Sequence, residues 1–186
     1  ATNIVHPIAS VITPISLDHQ LYLGETIEEI TGEKAGIIKP GIPVFCANQQ
    51  TSVTEVIEQV AQERGASLSL VGKDETDTAL SGRHQRENAT LAKVVVENME
   101  SSFSSETILR GLEEVQWQGR LECVKKGHQK YVIDTAHNPA GVQALVDYLR
   151  EEFQGARPAL LIGMLADKNW GDVIELLSPL MNRIVC

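Results

Sequence analysis

The sequence contains few cysteines, and their spacing excludes two classes of site. Its 186 residues include three cysteines, Cys46, Cys123 and Cys186, which lie far apart and form no Cys-x-x-Cys pair. Zinc knuckles and dithiol redox centres need closely spaced cysteines, so neither is predicted. Isolated thiols are typical of a reducing compartment, and we therefore expect a cytoplasmic protein.

An excess of basic residues and a long apolar run are also missing, which argues against two kinds of partner. The chain has 16 Lys and Arg against 25 Asp and Glu, a formal net charge of −9. That negative charge disfavours a nucleic-acid partner. The acidic residues are distributed along the whole chain, which is typical of solvent-exposed helix faces. No apolar run approaches a membrane span and no signal peptide opens the sequence, so no membrane partner is predicted. Hydrophobic residues still make up 42% of the chain, enough to bury a core.

Short β-branched runs alternate with helical patterns along the chain. The predicted strands are 9–16, 42–47, 67–72, 130–136, 157–165 and 183–186. The predicted helices are 24–38, 51–65, 86–100, 104–115, 138–153 and 169–181. Alternating strands and helices indicate a parallel α/β architecture. Because the pattern restarts after the extended connector QWQGRLE, we predict two domains, 1–118 and 119–186.

Asp18 and His19 follow the first predicted strand, where ligands bind in open α/β sheets. This pair could hold Mg²⁺ or phosphate, or it could cap the next helix. Lys34 lies in that helix beside Glu33. Taken singly, these residues favour the structural interpretation, in which Lys34 is an exposed surface lysine.

Two further side chains suggest nucleotide contacts. Asn88 falls in the first turns of an Ala-rich helix, where its amide could both donate to and accept from an adenine edge. Arg120 follows a glycine in the connector, from which a cation could reach a phosphate across a cleft. Taken singly, a helix-start amide and a surface arginine are the simpler interpretations.

The segment VIDTAHNPAG carries the most specific local signal. Asp134 ends a predicted strand, where its carboxylate could accept a bond from a ribose hydroxyl. His137 and Asn138 follow, and Pro139 opens a helix whose free N–H groups could bind an anion. Asn138 could equally be the cap of that helix.

Seven motifs, in this order, are similar to those of a known family. The chain resembles the folylpolyglutamate synthases and dihydrofolate synthases of the Mur ligase superfamily over nearly its whole length. Each motif alone is weak, but together they are highly specific. The motifs are ATNIV, SLDHQLYLG, GEKAGIIKPG, GRHQRENA, QWQGRLE, IDTAHNPAG and GMLADKNW. The resemblance implies part of a P-loop-type central ATP-binding domain, 1–118, followed by part of a Rossmann-like glutamate ligase domain, 119–186.

The resemblance also implies a reaction, its ligands and its residues. The family uses ATP with Mg²⁺ to phosphorylate the carboxylate of a folate or dihydropteroate, and the amine of L-glutamate then displaces the phosphate. Such enzymes are typically monomeric, and their site is assembled by domain closure. The implied roles are Mg²⁺ binding for His19, carbamylation for Lys34, adenine contact for Asn88, phosphate contact for Arg120, contact with the nucleotide sugar for Asp134, and a catalytic position near the incoming glutamate for His137.

The sequence departs from the family pattern in several places. No Gly-rich loop ending in Gly-Lys-Ser/Thr occurs in it, and the segment 73–80 is shorter than the family usually has. The upstream metal-binding glutamate, most folate contacts and the last strands of the second domain are also missing. We therefore expect a piece of a longer protein that does not turn over by itself.

Two alternatives remain open at this point. A Mur-type ligase of cell-wall synthesis shares the lysine and the Asn, Arg and Asp positions, although LDHQLYLG, GRHQRENA and DTAHNPAG fit the folate branch better. A non-catalytic, truncated remnant is the other possibility. Within the folate branch, the residues do not separate dihydrofolate synthesis from polyglutamate extension.

Overall fold

The computed structural model describes residues 2–18, 20–99, 102–165 and 168–186. The chain divides into two compact units. The first comprises Ala1–Asp77 and Arg86–Glu113, and the second comprises Thr78–Gln85 and Glu114–Cys186. Nowhere in the described ranges is a helix long and apolar enough to cross a membrane.

The first unit is built on a parallel sheet of three strands. These are β1 (Ser10–Ile12), β2 (Val44–Ala47) and β3 (Leu68–Val71), in the order β1-β2-β3. Most of its helical residues lie in α1 (Gln20–Leu23), α2 (Ile27–Ala35), α3 (Thr51–Glu63), α4 (Arg83–Met99) and α5 (Ser105–Glu114). A short 3₁₀ turn, Thr2–Ile4, precedes the first strand.

The sequence of strand β2 is apolar at successive positions because the strand lies at the centre of the sheet. Val44 and Cys46 pack into one cluster with residues of α2 and α3, whereas Phe45 packs into another with Leu91 of α4. A strand that is covered on both faces and paired on both edges needs apolar side chains in both directions. Burial raises the pKa of the Cys46 thiol.

Among the described residues of the second unit, the main elements are two separate pairs of strands and two α-helices. Strands β4 (Glu122–Lys126) and β5 (Gln129–Ile133) form an antiparallel hairpin, followed by α6 (Pro139–Phe153). Strand β6 (Ala159–Leu161) pairs in parallel with β7 (Arg183–Val185), and α7 (Trp170–Leu177) connects them. The buried core of the unit lies mainly on α6 and α7, with Val142, Val146, Leu149, Val173 and Leu177.

The hairpin corrects the expectation that the strands are parallel throughout. The extended connector was expected at QWQGRLE, residues 116–122, with no strand assigned to 123–129, but β4 begins at Glu122 and runs antiparallel to β5. Gly127 and His128 form the two-residue turn, and Gly127 has a φ of +60°. A glycine at the first position of such a turn suits the type II′ geometry that matches strand twist. The signal was therefore present in KKGHQK, although the alternation of strands and helices concealed it.

Side chains cap two helices of the chain. The Ser104 hydroxyl accepts the Thr107 amide in the first turn of α5. The side chain of Asn138 caps α6, as the sequence allowed. The N-cap of α3 is Gln50, which makes no side-chain capping bond.

Helix α2, which carries Lys34, begins with a reciprocal cap. The Thr26 hydroxyl accepts the Glu29 amide at 3.2 Å, and the Glu29 carboxylate accepts the amides of Thr26 and Glu25 at 3.2 and 2.7 Å. These two backbone donors, Thr26 first, lower the pKa of Glu29. The cap thus fixes where the helix starts.

The lowered pKa of Glu29 predicts a stability difference that depends on pH. A carboxyl whose folded pKa lies below its unfolded pKa stabilises the fold above the ordinary value of 4.5, and the effect is lost as pH falls through the folded pKa. Glu29→Gln should therefore be less stable than wild type near neutrality, and the difference should shrink as the pH falls below 4.5 and through the folded pKa. Urea unfolding over a series of decreasing pH values checks this, with Glu28→Gln in the same turn as the control. A difference that is constant with pH would contradict it.

Candidate active site

Asp134 joins two loops of the second unit. It follows β5 directly, and its carboxylate accepts the Leu121 amide at 2.9 Å and the Ala136 amide at 2.8 Å. The Thr135 amide donates to the Gly119 carbonyl at 3.0 Å, which adds a backbone bond between the same loops. Asp134 therefore holds the turn at 119–121 against the loop at 134–138.

The turn at 119–121 has an unusual backbone. Gly119 has a φ of +70°, and Leu121 has a φ of +50° although it is not glycine. The left-handed region costs an L-residue about 1–2 kcal/mol. The Leu121 side chain is 2% exposed in the core of the unit, and its amide is held by Asp134, so both ends of the residue are fixed. Arg120 lies between these two positions and is exposed to solvent.

Glu122 supports the same turn from the start of β4. Its carboxylate accepts the Gly119 amide at 2.9 Å. A Cβ at Gly119 would lie 3.0 Å from Thr135 Cγ2, which with the positive φ explains the glycine. The backbone on both sides of Arg120 is therefore tied to carboxylates.

His137 lies on the second of these loops and is exposed. Its Nδ1 is 3.0 Å from the Thr135 carbonyl oxygen. A carbonyl oxygen only accepts, so Nδ1 donates in this bond and carries a proton.

The start of α6 offers an anion fewer amides than the sequence suggested. Pro139 has no N–H, and the Gly141 amide already donates to Asn138 Oδ1 at 2.8 Å. The Val142 amide bonds to the Asn138 carbonyl. The helix cap thus uses a donor that the sequence left for a ligand.

Tyr148 anchors the separate segment 78–85 within the second unit. Its buried hydroxyl is 2.9 Å from the Cys123 sulfur and hydrogen bonds with Ser81. Burial, and then the bond to Cys123, raise the pKa of Tyr148 far above its usual range. Gly82 packs beside Leu121, where a Cβ would lie 2.7 Å from the leucine Cδ1. The segment leading into α4 is therefore fixed to the core around Leu121.

The first unit carries Lys34 and Asn88. Lys34 lies in the last turn of α2 and is exposed, whereas Asn88 is half-buried in the second turn of α4. Residues 74 and 75, in the loop before α4, contact side chains of that helix. Arg86 pairs with Glu75 at 2.6 Å, and the Thr90 hydroxyl bonds to the Asp74 carbonyl at 2.7 Å. The predicted Mg²⁺ ligand His19 lies outside the described residues.

The structure brings Arg120, Asp134 and His137 onto two hydrogen-bonded loops of one unit, and it places Lys34 and Asn88 in the other. Within the described ranges, no three His, Cys, Asp or Glu side chains gather so that they could hold a metal ion.

Residues 119–186 match the family model of the Mur ligase, glutamate ligase domain. The dihydrofolate synthase/folylpolyglutamate synthase of Bacillus subtilis is 34% identical to this chain, over 99% of the chain and 49% of its own length. The chain belongs to the family of dihydrofolate synthases and folylpolyglutamate synthases. The Mycobacterium tuberculosis member is 30% identical over 100% of the chain and 45% of its own length. The chain thus spans about half the length of the curated relatives it matches.

Solved structures of the family agree with this assignment. A folylpolyglutamate synthase complex with AMPPCP and folate has a TM-score of 0.86 at 28% identity, over 97% of this chain and 51% of its own. The Mycobacterium tuberculosis enzyme complexed with ADP and AMPPCP has a TM-score of 0.87 at 29% identity, over 98% of this chain and 48% of its own. The predicted α/β Mur ligase fold is confirmed.

Sequence reasoning missed the residues that support the site. Glu122 lies within the quoted motif QWQGRLE, yet no role was assigned to it. Its spacing of three residues from Gly119 is typical of a side chain that closes a turn, and this could have been noticed. No sequence signal marks Tyr148, Cys123 and Ser81 as neighbours, because they come from distant parts of the chain.

The bonds of Asp134 predict a graded effect of substitution. Asp134→Ala removes both acceptors, so the Leu121 and Ala136 amides should exchange with deuterium roughly tenfold faster or more, and the unfolding free energy should fall by about 1–3 kcal/mol. Asp134→Asn keeps one oxygen and should leave one of the two amides protected. Hydrogen exchange followed by NMR checks this, with the exposed α6 variant Asp147→Ala as the control. Unchanged exchange at both amides would show that Asp134 does not hold the loops.

Proposed function

We propose that the whole protein is an ATP-dependent ligase that joins L-glutamate to a folate, to dihydropteroate, or to both. The carrying observation is the pair of loops held together by Asp134, which presents Arg120 and His137 beside the start of α6 in the glutamate ligase domain. Relatives named for this activity, and a family structure described as a complex with AMPPCP and folate, support the proposal. We also propose that residues 1–118 belong to the central ATP-binding domain and that the protein is monomeric and cytoplasmic.

The proposed reaction has two steps. A carboxylate oxygen of the folate attacks the γ-phosphorus of ATP, and the bond to the β-phosphate oxygen breaks to release ADP. The glutamate nitrogen then attacks the acyl carbon, the C–O bond to phosphate breaks, and the amine loses a proton. Negative charge develops on phosphoryl oxygens in both steps, where a fixed cation has its largest effect.

Arg120 suits the phosphoryl oxygens because its guanidinium is exposed and its backbone is fixed on both sides by Glu122 and Asp134. A positioned cation needs no reorganisation when charge develops. His137 is proposed near the incoming glutamate because its loop is held against the turn that carries Arg120. These assignments give each loop one role in the reaction.

Asp134 can combine its structural role with the predicted contact to the nucleotide sugar. Each carboxylate oxygen accepts one backbone amide, and each has a further lone pair for a hydroxyl. Asn88 is proposed at the adenine, and the ion pair between Arg86 and Glu75 helps to fix its helix.

Lys34 is proposed to react with CO₂ to form a carbamate, which turns a cation into an anion. Its exposed position at the end of α2 leaves the amine accessible to CO₂. Mg²⁺ would supply charge neutralisation for the phosphates of ATP. Its ligand His19 lies outside the described residues, so Mg²⁺ binding remains a prediction and no step depends on it here.

A substrate panel tests the proposal in the full-length protein. Glutamate-dependent phosphate release should occur with dihydropteroate, tetrahydrofolate or both, and not with UDP-muramyl peptides. Turnover only with a muramyl peptide would replace the proposal by a cell-wall ligase, and no turnover with any substrate would favour the non-catalytic alternative. The 186-residue chain alone is expected to show no turnover, because no Gly-Lys-Ser/Thr loop occurs in it.

Lys34→Ala in the full-length protein should lower turnover roughly 100-fold or more, the range found when one charge-stabilising group is removed. The fold should stay intact because the side chain is exposed. The measurement is steady-state glutamate-dependent ADP formation together with the thermal midpoint. Glu33→Ala, the exposed neighbour, is the matched control. A wild-type rate in Lys34→Ala would refute the carbamate role.

A further inference from the structure

The β4–β5 hairpin is a basic stretch in a chain that is acidic overall. Residues 123–133, which read CVKKGHQKYVI, contain three lysines and a histidine but no aspartate or glutamate. The formal charge of the whole chain is −9, so this stretch departs from the composition around it. Lys125, Lys126 and Lys130 are all exposed to solvent. The hairpin therefore carries a local positive patch in the second unit.

Strand pairing places two of these lysines side by side. Lys125 is the cross-strand partner of Lys130, and Lys126 is that of Gln129. The pair that flanks a two-residue turn exchanges hydrogen bonds, so Lys125 and Lys130 form the next, non-hydrogen-bonded pair, whose Cα atoms are about 4.5 Å apart. Directly opposed side chains share a face of the sheet, whereas Lys126 points to the other face. Two ammonium groups thus leave one face at the closest cross-strand spacing.

No carboxylate of the described residues neutralises this lysine pair, Lys125 and Lys130. Like charges directly opposite each other destabilise a sheet, yet neither lysine forms an ion pair within the part of the chain that the structure describes. The Nζ atom of Lys130 lies 5.1 Å from the centre of the Phe153 ring, a cation–π contact that holds the ammonium without removing its charge. A local conflict of this kind is typical of a functional site.

We propose that the lysine pair is a subsite for a chain of carboxylates, and that its ligand is the oligoglutamate tail of a folate. This inference rests on the proposed function, in which each reaction replaces one carboxylate of the product by two and so adds one negative charge. Carboxylates of successive glutamates match two adjacent ammonium groups, because hydrogen bonds between charged partners are the stronger kind. The methylene groups of such a tail can pack on Phe153, which is only partly buried.

The length of β5 sets which tails can reach the subsite. Lys130 lies four positions before Asp134, and a strand rises about 3.4 Å per residue, so about 14 Å separates the subsite from the loop that carries His137. An extended peptide of about four residues spans that distance. A tail whose last residue lies at this loop therefore reaches the lysine pair with about four glutamates. A folate with a single glutamate should not use the subsite.

Binding of tetraglutamate to the full-length protein tests the subsite directly. Titration calorimetry at low salt, with α-linked and γ-linked tetraglutamate as probes, reports the affinity without ATP or a pteridine. Lys125→Gln removes one charge of the pair and should weaken binding of the better probe about fivefold. Lys126→Gln removes the same charge from the other face and is the matched control, for which the change should stay below about twofold. The thermal midpoint of Lys125→Gln should not fall, since the variant relieves repulsion between two lysines.

Steady-state kinetics of the same variants gives a second measurement. With tetrahydrofolate that carries four glutamates, Lys125→Gln should raise KM about fivefold and leave kcat unchanged. With the monoglutamate, both constants should equal those of wild type. A purely structural role of Lys125 would change the constants for both substrates alike and would contradict the subsite.

Three binding results would overturn the proposal. Equal affinity of wild type and Lys125→Gln for tetraglutamate would exclude the lysine pair, and equal losses in Lys125→Gln and Lys126→Gln would indicate only general attraction to a positive patch. Inorganic tripolyphosphate that binds as tightly as tetraglutamate, with the same dependence on Lys125, would identify a general anion site. The titration needs no turnover, so absent binding in an active enzyme would refute the subsite alone, and inactivity with intact binding would refute the proposed function alone.

Discussion

The hydrogen bond from the Leu121 amide to the Asp134 carboxylate is the constraint that holds the turn at 119–121 against the loop at 134–138 in the second unit. The left-handed backbone of Leu121 costs about 1–2 kcal/mol. Burial of the leucine side chain stabilises the fold by about 1.5–3 kcal/mol. The hydrogen bond from its amide to a charged acceptor contributes about 1.5–3 kcal/mol more. The two gains exceed the strain, so the turn persists and Arg120 projects from it into solvent. His137 is held on the facing loop by the same aspartate, through Ala136 and Thr135.

The surroundings of Leu121 also explain why residues far apart in sequence form one unit. The segment 78–85 packs onto this core through Gly82, which has no space for a side chain, and through the bond between Ser81 and Tyr148. Cys123 contacts the same tyrosine hydroxyl from β4. One buried group of contacts therefore fixes both the turn at 119–121 and the segment 78–85 within the second unit.

The two units differ in how far their sheets are completed. In the first unit, the central strand β2 is paired with β1 and β3 on its two edges and is covered by apolar side chains on both faces. In the second, the helices provide the core while β5 and β6 each leave one edge unpaired within the described residues. Unpaired edges beside apolar surface attract other strands.

The sequence by itself determined the α/β class, most of the helices and strands, and the caps at Ser104 and Asn138, because these depend on periodicity and on bonds between near neighbours. It also pointed to Arg120, Asp134 and His137, since motif order carries the family resemblance. It missed the hairpin β4–β5, where a short turn interrupts the expected alternation. Only the tertiary structure showed that Asp134 and Glu122 fix the backbone around Arg120 and that Leu121 is left-handed. Those features depend on contacts between residues distant in the chain, and local patterns do not record which distant groups meet.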